Sequence, residues 1–327
     1  MNELLRVGVI GLGFIGRTHL NAIRGVPEIE LVGVTDRNMV QAQEVGREFG
    51  TQVFPDVDAL LASDIDAVLI CTPTGTHREL ALQAKQAGKH VFLEKPLALT
   101  LEDGQAILNA FEGGPQILMV GHVVRFFAEY EAAKGVLDSG ELGTVPVARA
   151  SRLNSYPGTE GSWYRDPAQS GGVVHDMLLH DLDFLRWCFG DVARVFARIE
   201  RSDDLPNELA LVTLRFKNGT MAHAEGHWGS ARPFRYALEL AGTRNLLKLS
   251  SDAQPIFVLA THEGGTSASF SAGESPYAKQ MRHFAAVVRG EMPPRVTPHD
   301  ALAALQIALA ARESAETRKP VTLGEIA

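Results

Sequence analysis

Along the first 122 residues, short apolar runs alternate with stretches whose apolar positions recur at helical spacing. Runs at 7–10, 29–35, 67–71, 90–93 and 116–120 have strand length, while 15–24, 39–49, 78–86 and 101–111 carry the helical period. Strands that alternate with helices are joined by right-handed crossovers and lie parallel, so residues 1–122 are expected to form a doubly wound α/β domain. From about residue 145 the pattern changes to longer strand-like segments with few helices between them. Segments 209–216 and 220–228 flank Lys217-Asn218-Gly219, and Asn-Gly between such runs marks a hairpin. Runs at 236–240, 246–249 and 256–260 continue the series and predict a largely antiparallel sheet in a second domain, 123–327. Helical spacing returns at 173–187, 277–289 and 298–316, where Pro298 suits a first helical turn.

Composition narrows the function classes. The 327 residues give room for two cores, and 45% apolar with 21% charged residues is the balance of a globular chain. A formal charge of −8 supplies no basic face for nucleic acid or an acidic membrane. The apolar-rich run 301–311 lies between Asp300 and Arg312 and is too short to span a bilayer. The run at 7–10 is followed by a glycine turn, Arg17 and His19, which argues against a secretory leader and for a cytoplasmic protein. Cys71 and Cys188 are far apart and lack metal-ligand spacing, so buried free thiols are expected, with no disulfide and no metal.

Three segments carry candidate chemistry. Gly11-Leu12-Gly13-Phe14-Ile15-Gly16 follows a strand, opens a helix, and is followed 20 residues after Gly16 by Asp36 at the end of the next strand. Gly11 then permits the tight turn, Gly13 the approach of a pyrophosphate, and Gly16 close helix packing; Asp36 accepts ribose hydroxyls and repels the extra phosphate of NADP. NAD is the expected cofactor, although Arg37 is able to pair with that phosphate or stack on adenine. Glu94-Lys95-Pro96 places a lysine on a stiff turn at a strand's carboxyl end, where open α/β sheets gather ligands. In 171–183, a 100° rotation per residue sets Asp176, His180 and Asp183 along one stripe and His175 well away from it. An aspartate four residues before a histidine holds and charges an imidazole, as a general base requires; in a lone helix the plainer reading is a surface pair or a packed core histidine.

Taken together, Gly11 to Gly16, Cys71-Thr72-Pro73-Thr74-Gly75-Thr76-His77, Glu94-Lys95-Pro96, Gly121-His122-Val123-Val124-Arg125-Phe126 and the Gly171-Gly172, Asp176, His180 segment resemble the glucose-fructose oxidoreductase, inositol dehydrogenase and rhizopine-catabolism family. The resemblance runs through Glu313-Ser314-Ala315 near the end of the chain. It implies an N-terminal Rossmann domain, and a C-terminal α/β domain whose large, mostly antiparallel open sheet builds dimer or tetramer contacts. It also implies that Lys95 meets the reacting hydroxyl and the nicotinamide side of the cofactor, and that Asp176 and His180 complete the proton-transfer group. Thr72, Pro73 and His77 would border the cofactor, with Glu94 near the nicotinamide ribose, His122 beside it and a cis Lys95-Pro96 bond. Two departures stand out. Relatives carry three glycines where this chain has Ser170-Gly171-Gly172, and a glycine or alanine at Leu178, whose bulk is expected to reshape the substrate wall.

The expected reaction is NAD(P)-dependent oxidation of a secondary hydroxyl on a sugar, inositol or related polyol. His180 would act as base, Lys95 as the charge that stabilises the alkoxide, and Asp176 as support for His180. His122, Arg125, Arg152, Trp163, Tyr164 and Arg165 are candidate substrate contacts. Two alternatives remain: a redox-neutral, NAD-dependent glycosidase with transient oxidation, and a non-catalytic NAD-bound sensor.

Overall fold

The computed structural model describes residues 4–158, 162–202, 206–231, 233–261, 264–268 and 273–324. In chain order the elements are β1 (Leu5–Ile10), α1 (Phe14–Ile23), β2 (Ile29–Thr35), α2 (Met39–Phe49), β3 (Gln52–Val53), α3 (Val57–Leu61), β4 (Ala67–Ile70), α4 (His77–Gln86), β5 (His90–Leu93), α5 (Leu101–Phe111) and β6 (Leu118–Val120). There follow α6 (Ala128–Asp138), β7 (Val147–Asn154), a single turn α7 (Pro167–Ser170), α8 (Leu179–Phe189), β8 (Val192–Arg201), β9 (Glu208–Phe216), β10 (Met221–Trp228), β11 (Arg235–Ala241), β12 (Leu246–Ser250), β13 (Phe257–Thr261) and β14 (Gly264–Ala268). The chain closes with α9 (Pro276–Val288), α10 (Pro298–Thr317) and β15 (Val321–Thr322). Two compact units result, 1–126 with 274–302, and 127–273 with 303–327.

In the first unit six strands, all parallel, take the order β3-β2-β1-β4-β5-β6. This is the Rossmann order, with the crevice at the carboxyl ends of β1 and β4 where the strand sequence reverses. Covered on both faces, β4 is buried at every residue, which explains its unbroken apolar run. Residues 274–302, expected with the second domain, pack here. The reason is the apolar stripe of α9: Ala278, Met281, Phe284 and Ala285 join Leu20, Phe92 and Met119 in one core, with the Phe92 and Phe284 rings 5.6 Å apart.

The second unit is a nine-stranded sheet ordered β14-β13-β12-β11-β7-β10-β9-β8-β15, antiparallel throughout except for the β10–β7 pair. A π-helical turn over Val174–Leu178 and the following α8 lie against β7 and β10 in the middle of this sheet. Asn218-Gly219 turns the β9–β10 hairpin, with Gly219 at φ 94°.

Candidate active site

In the first unit the glycine loop leaves β1 through Gly11, at φ 89°. A Cβ on Gly16 would lie 2.0 Å from the Gly11 carbonyl oxygen, so α1 starts this close to the loop only with glycine there. At Gly13 a Cβ would meet nothing within 4 Å. Gly13 and Phe14 are exposed, Phe14 at 87%, and Ile15 is half-buried. Among the described residues, α1 has neither a side-chain cap nor an acidic residue in its first turn, whereas α2, α3 and α5 are capped by Asn38, Asp56 and Thr100. Uncapped amides beside an open glycine suit an anion, and the arrangement fits a dinucleotide pyrophosphate. Asp36 also shapes the loop: its carboxylate accepts the Leu12 and Asn38 amides at 2.7 and 2.8 Å, while Gln41 Nε2 donates to the Leu12 carbonyl at 2.7 Å. A carboxylate offers about four acceptor positions, which leaves capacity for ribose hydroxyls. Arg37 is exposed.

Lys95 is the one residue of 91–98 that reaches solvent, and the others are buried. The residues on either side of it are tied down. Glu94 is 4% exposed, its Oε1 lies 2.5 Å from His19 Nε2, and its Oε2 accepts the Lys95 amide at 3.1 Å. A Cβ on Gly121 would come within 2.8 Å of that carboxylate, so the glycine after β6 makes its room. The Lys95-Pro96 bond is cis, and the Pro96 carbonyl faces His77 Nδ1 at 2.8 Å. His77 Nε2 faces the Thr72 carbonyl at 3.0 Å. The ring of His77, expected to border the cofactor, is fully buried, and as a neutral imidazole it donates to one of these two carbonyls. Burial pushes its pKa down against the pull of the Thr72 and Pro96 carbonyls. Glu94, expected beside the ribose, is buried beside His19. Burial and then Glu94 raise the Cys71 thiol well above its ordinary pKa, which keeps it protonated and unreactive.

The second unit has a matching pattern. Within 171–185 only Asp176 and His180 are not buried. The uniform helix read from the sequence is replaced by the π turn, which takes up an extra residue and rotates less per residue, so Asp176 falls more nearly in line with His180 than α spacing allows. Asp183, expected on the same stripe, is fully buried, as is His175. Gly172, at φ 78°, passes beside an ion pair, Arg201 to Glu208 at 2.8 Å; a Cβ there would lie 2.5 Å from Glu208 Oε1. Asp181, next to His180, accepts two bonds from Arg152, 2.7 Å from Nε and 3.0 Å from Nη2, and Arg152 Nη2 also reaches the Tyr130 hydroxyl at 3.2 Å. Burial opposes the Arg152 charge, but Asp181 and Tyr130 outweigh it and raise its pKa.

The residues expected to line the substrate differ in exposure. Arg125 and Arg152 are buried and committed, Arg125 to the Arg295 carbonyl at 2.9 Å and Asp300 at 3.3 Å. His122 is 1% exposed. Leu178 is fully buried against β10, where a Cβ on Gly226 would sit 3.4 Å from its own, so its bulk packs over that glycine. Trp163 and Tyr164 remain half-buried with rings stacked at 4.0 Å, Tyr164 edge-on to Trp228, and Arg165 exposed above Tyr156. Missed by the sequence reading are His19 and Asp181, the partner of Arg152. For His19 the signal was available, a polar residue on the apolar face of α1.

An uncapped helix at a glycine loop after β1 in a sheet of this order, with an accessible lysine just past the end of β5, is the arrangement of the class of NAD(P)-dependent oxidoreductases. Residues 5–122 match the family described as an oxidoreductase family with an NAD-binding Rossmann fold, and residues 130–248 match the GFO/IDH/MocA C-terminal domain. The chain is 30% identical to the scyllo-inositol 2-dehydrogenase (NAD(+)) of Bacillus subtilis over 99% of its own length and 97% of the relative's. It is 28% identical to the myo-inositol 2-dehydrogenase of Thermotoga maritima over 98% and 99%. The crystal structure of myo-inositol 2-dehydrogenase from Lactobacillus plantarum superposes with a TM-score of 0.86 at 26% identity, over 98% of this chain and all of that one. The protein belongs to the GFO/IDH/MocA oxidoreductase family.

Proposed function

We propose that this enzyme oxidises, reversibly, one secondary hydroxyl of an inositol or closely related polyol with NAD as the acceptor. The observation that carries the reading is Lys95, the single accessible residue of a buried turn at the end of β5 in a dinucleotide-binding domain. The substrate class follows the relatives, whose names specify inositols. When bound, the nicotinamide supplies the hydride acceptor. Gly11, Gly13, Phe14, Ile15, Gly16 and the amides opening α1 hold the pyrophosphate side, with Thr72 and Pro73 along the cofactor. The Lys95 ammonium stabilises the alkoxide as the hydroxyl proton leaves. His180 accepts that proton, because imidazole titrates near neutral pH, and Asp176 supports the imidazolium. Trp163, Tyr164 and Arg165 contribute to the substrate wall.

NAD is preferred over NADP because the Asp36 carboxylate at the end of β2 repels a 2′-phosphate. The Asp36→Ser variant is expected to narrow that preference by about tenfold or more, measured as the ratio of kcat/KM with the two cofactors; an unchanged ratio removes Asp36 from ribose reading. The protein acts in the cytoplasm as a homodimer or homotetramer, joined through the sheet face that exposes Phe196, Leu209, Leu211 and Met221. The decisive experiment follows NADH absorbance with a panel of inositols, sugars and amino sugars. Net NADH with a polyol supports the dehydrogenase, whereas turnover without net NADH points to a redox-neutral reaction, and NAD binding with no turnover to a sensor.

A further inference from the structure

Lys95 sits between two residues that are each held by a buried imidazole. Before it, the Glu94 carboxylate lies 2.5 Å from His19 Nε2. After it, the Pro96 carbonyl lies 2.8 Å from His77 Nδ1. Both histidines are 0% exposed. They come from different elements, His19 from the helix that the glycine loop opens and His77 from the start of α4. Neither ring is at liberty to turn. His19 is wedged edge-on between Phe92 and Tyr277, with ring centroids 5.1 and 5.5 Å away, and His77 has the Thr72 carbonyl on its second nitrogen at 3.0 Å.

A lysine side chain is long and rotamer-rich, and placing its ammonium within reach of a reacting oxygen requires at least that its backbone be held. We infer that His19 and His77 are positioning residues that cradle Glu94-Lys95-Pro96 from both sides and so set where the Lys95 ammonium points. His19 thereby links the helix of the cofactor loop to the lysine, and His77 links the Thr72 loop to it. The inference rests on the role of Lys95 proposed above.

The two imidazoles use different nitrogens, which gives the test its specificity. A glutamine side chain places its amide near the Nε2 position and an asparagine near the Nδ1 position, and each offers a donor. At position 19, His19→Gln is expected to stay within about threefold of wild-type kcat and His19→Asn to lose about tenfold or more; at position 77 the order reverses, His77→Asn being tolerated and His77→Gln not. KM for NAD stays within about twofold in all four. In a Lys95→Ala background the two damaging substitutions cost less than about twofold further, because the group they position is gone. A readout without turnover is the rate at which an amine-reactive ester modifies Lys95 in the cofactor-free protein, followed by peptide mass spectrometry. His19→Asn and His77→Gln should raise it about threefold or more, and His19→Gln and His77→Asn should leave it unchanged. Equal losses with and without Lys95, or absence of the opposed amide preferences, overturn the cradle and leave the role of Lys95 standing. Wild-type turnover by Lys95→Ala overturns the catalytic reading instead, and the labelling rates then decide the cradle. Should a damaging variant melt below the assay temperature, the tolerated variant decides by its labelling: a rate raised about threefold or more counts against the cradle.

Discussion

The Lys95 turn and the Asp176–His180 turn present the same outward pattern, an accessible polar group in a buried stretch, but they are held by different means. In the first unit the holding groups are two imidazoles that bond a carboxylate and a backbone carbonyl. In the second they are a buried ion pair, Arg152 with Asp181, together with a π turn laid on the centre of a sheet. The difference teaches where each turn is vulnerable. A buried ion pair is costly to break from one side, because the remaining charge has no water to return to. An imidazole tie breaks more gently, and the damage falls on geometry rather than on folding.

The largest expected effect tests this directly. Arg152→Met leaves Asp181 as a buried carboxylate without its bidentate partner and should cost about 3–5 kcal/mol of stability, read from urea unfolding and from faster amide exchange in α8. Replacing both partners by apolar residues, Arg152→Met with Asp181→Leu, should recover most of the loss. If the single variant is as stable as wild type, the second turn is not held by its ion pair and the contrast between the regions disappears.

Next in size are the variants of the accessible groups themselves. Lys95→Ala and His180→Asn should each lower kcat by at least about a hundredfold, equivalent to about 2.7 kcal/mol, while NAD affinity changes little. The pH profile separates them: His180→Asn alone should abolish the limb near neutral pH, since only the imidazole titrates there. Loss of that limb in Lys95→Ala instead would exchange the two roles.

What the sequence disclosed follows the same division between local and distant causes. The strands at 29–35 and 90–93 and the helices at 39–49 and 101–111 are found where expected, because the parallel strands are rich in apolar residues and Asn38 and Thr100 cap the helices. Elements β3 and α3 escaped for want of length. Helix α6 escaped because it buries Glu129, whose carboxylate meets the Tyr236 hydroxyl at 2.5 Å, so its inner face does not read as apolar. In β8 the alternate residues Arg194 and Arg198 point to solvent and dilute the apolar signal. Lys95, Asp176 and His180 were legible as polar residues set in apolar stretches. The work of His19, His77 and Arg152 was not, since each is defined by a partner between 19 and 75 residues away. The π turn is equally hidden, because a single extra residue in a helix leaves the hydrophobic period almost intact.

The smallest predicted effect falls on the first unit and comes from acid. His77, His90 and His283 all lie there, and burial lowers the pKa of each. The geometry of the last two agrees with neutral rings: His90 Nδ1 accepts the Ile117 amide at 3.0 Å, and His283 Nε2 accepts the Arg295 amide at 2.9 Å. For His283, burial and then the Arg295 charge push the pKa down to about 4. An unfolded histidine titrates near 6.5. Between those values the unfolded chain binds a proton that the native ring refuses, so stability falls as pH drops from about 6.5 to about 4 and is not further affected by this group below that. Taken in full the shift amounts to about 3 kcal/mol, but the ring is only half-buried and solvent screening reduces its share to about 1 kcal/mol. Protection factors in α9, that is, exchange rates corrected for the intrinsic pH dependence of amide exchange, should therefore fall as the pH is lowered from 7 to 4.5, more than in α8, and His283→Gln, which offers an acceptor to the same amide without titrating, should flatten the dependence. If α8 loosens first, the second unit rather than the buried histidines of the first is the acid-sensitive region, and the contrast between the two regions is reversed.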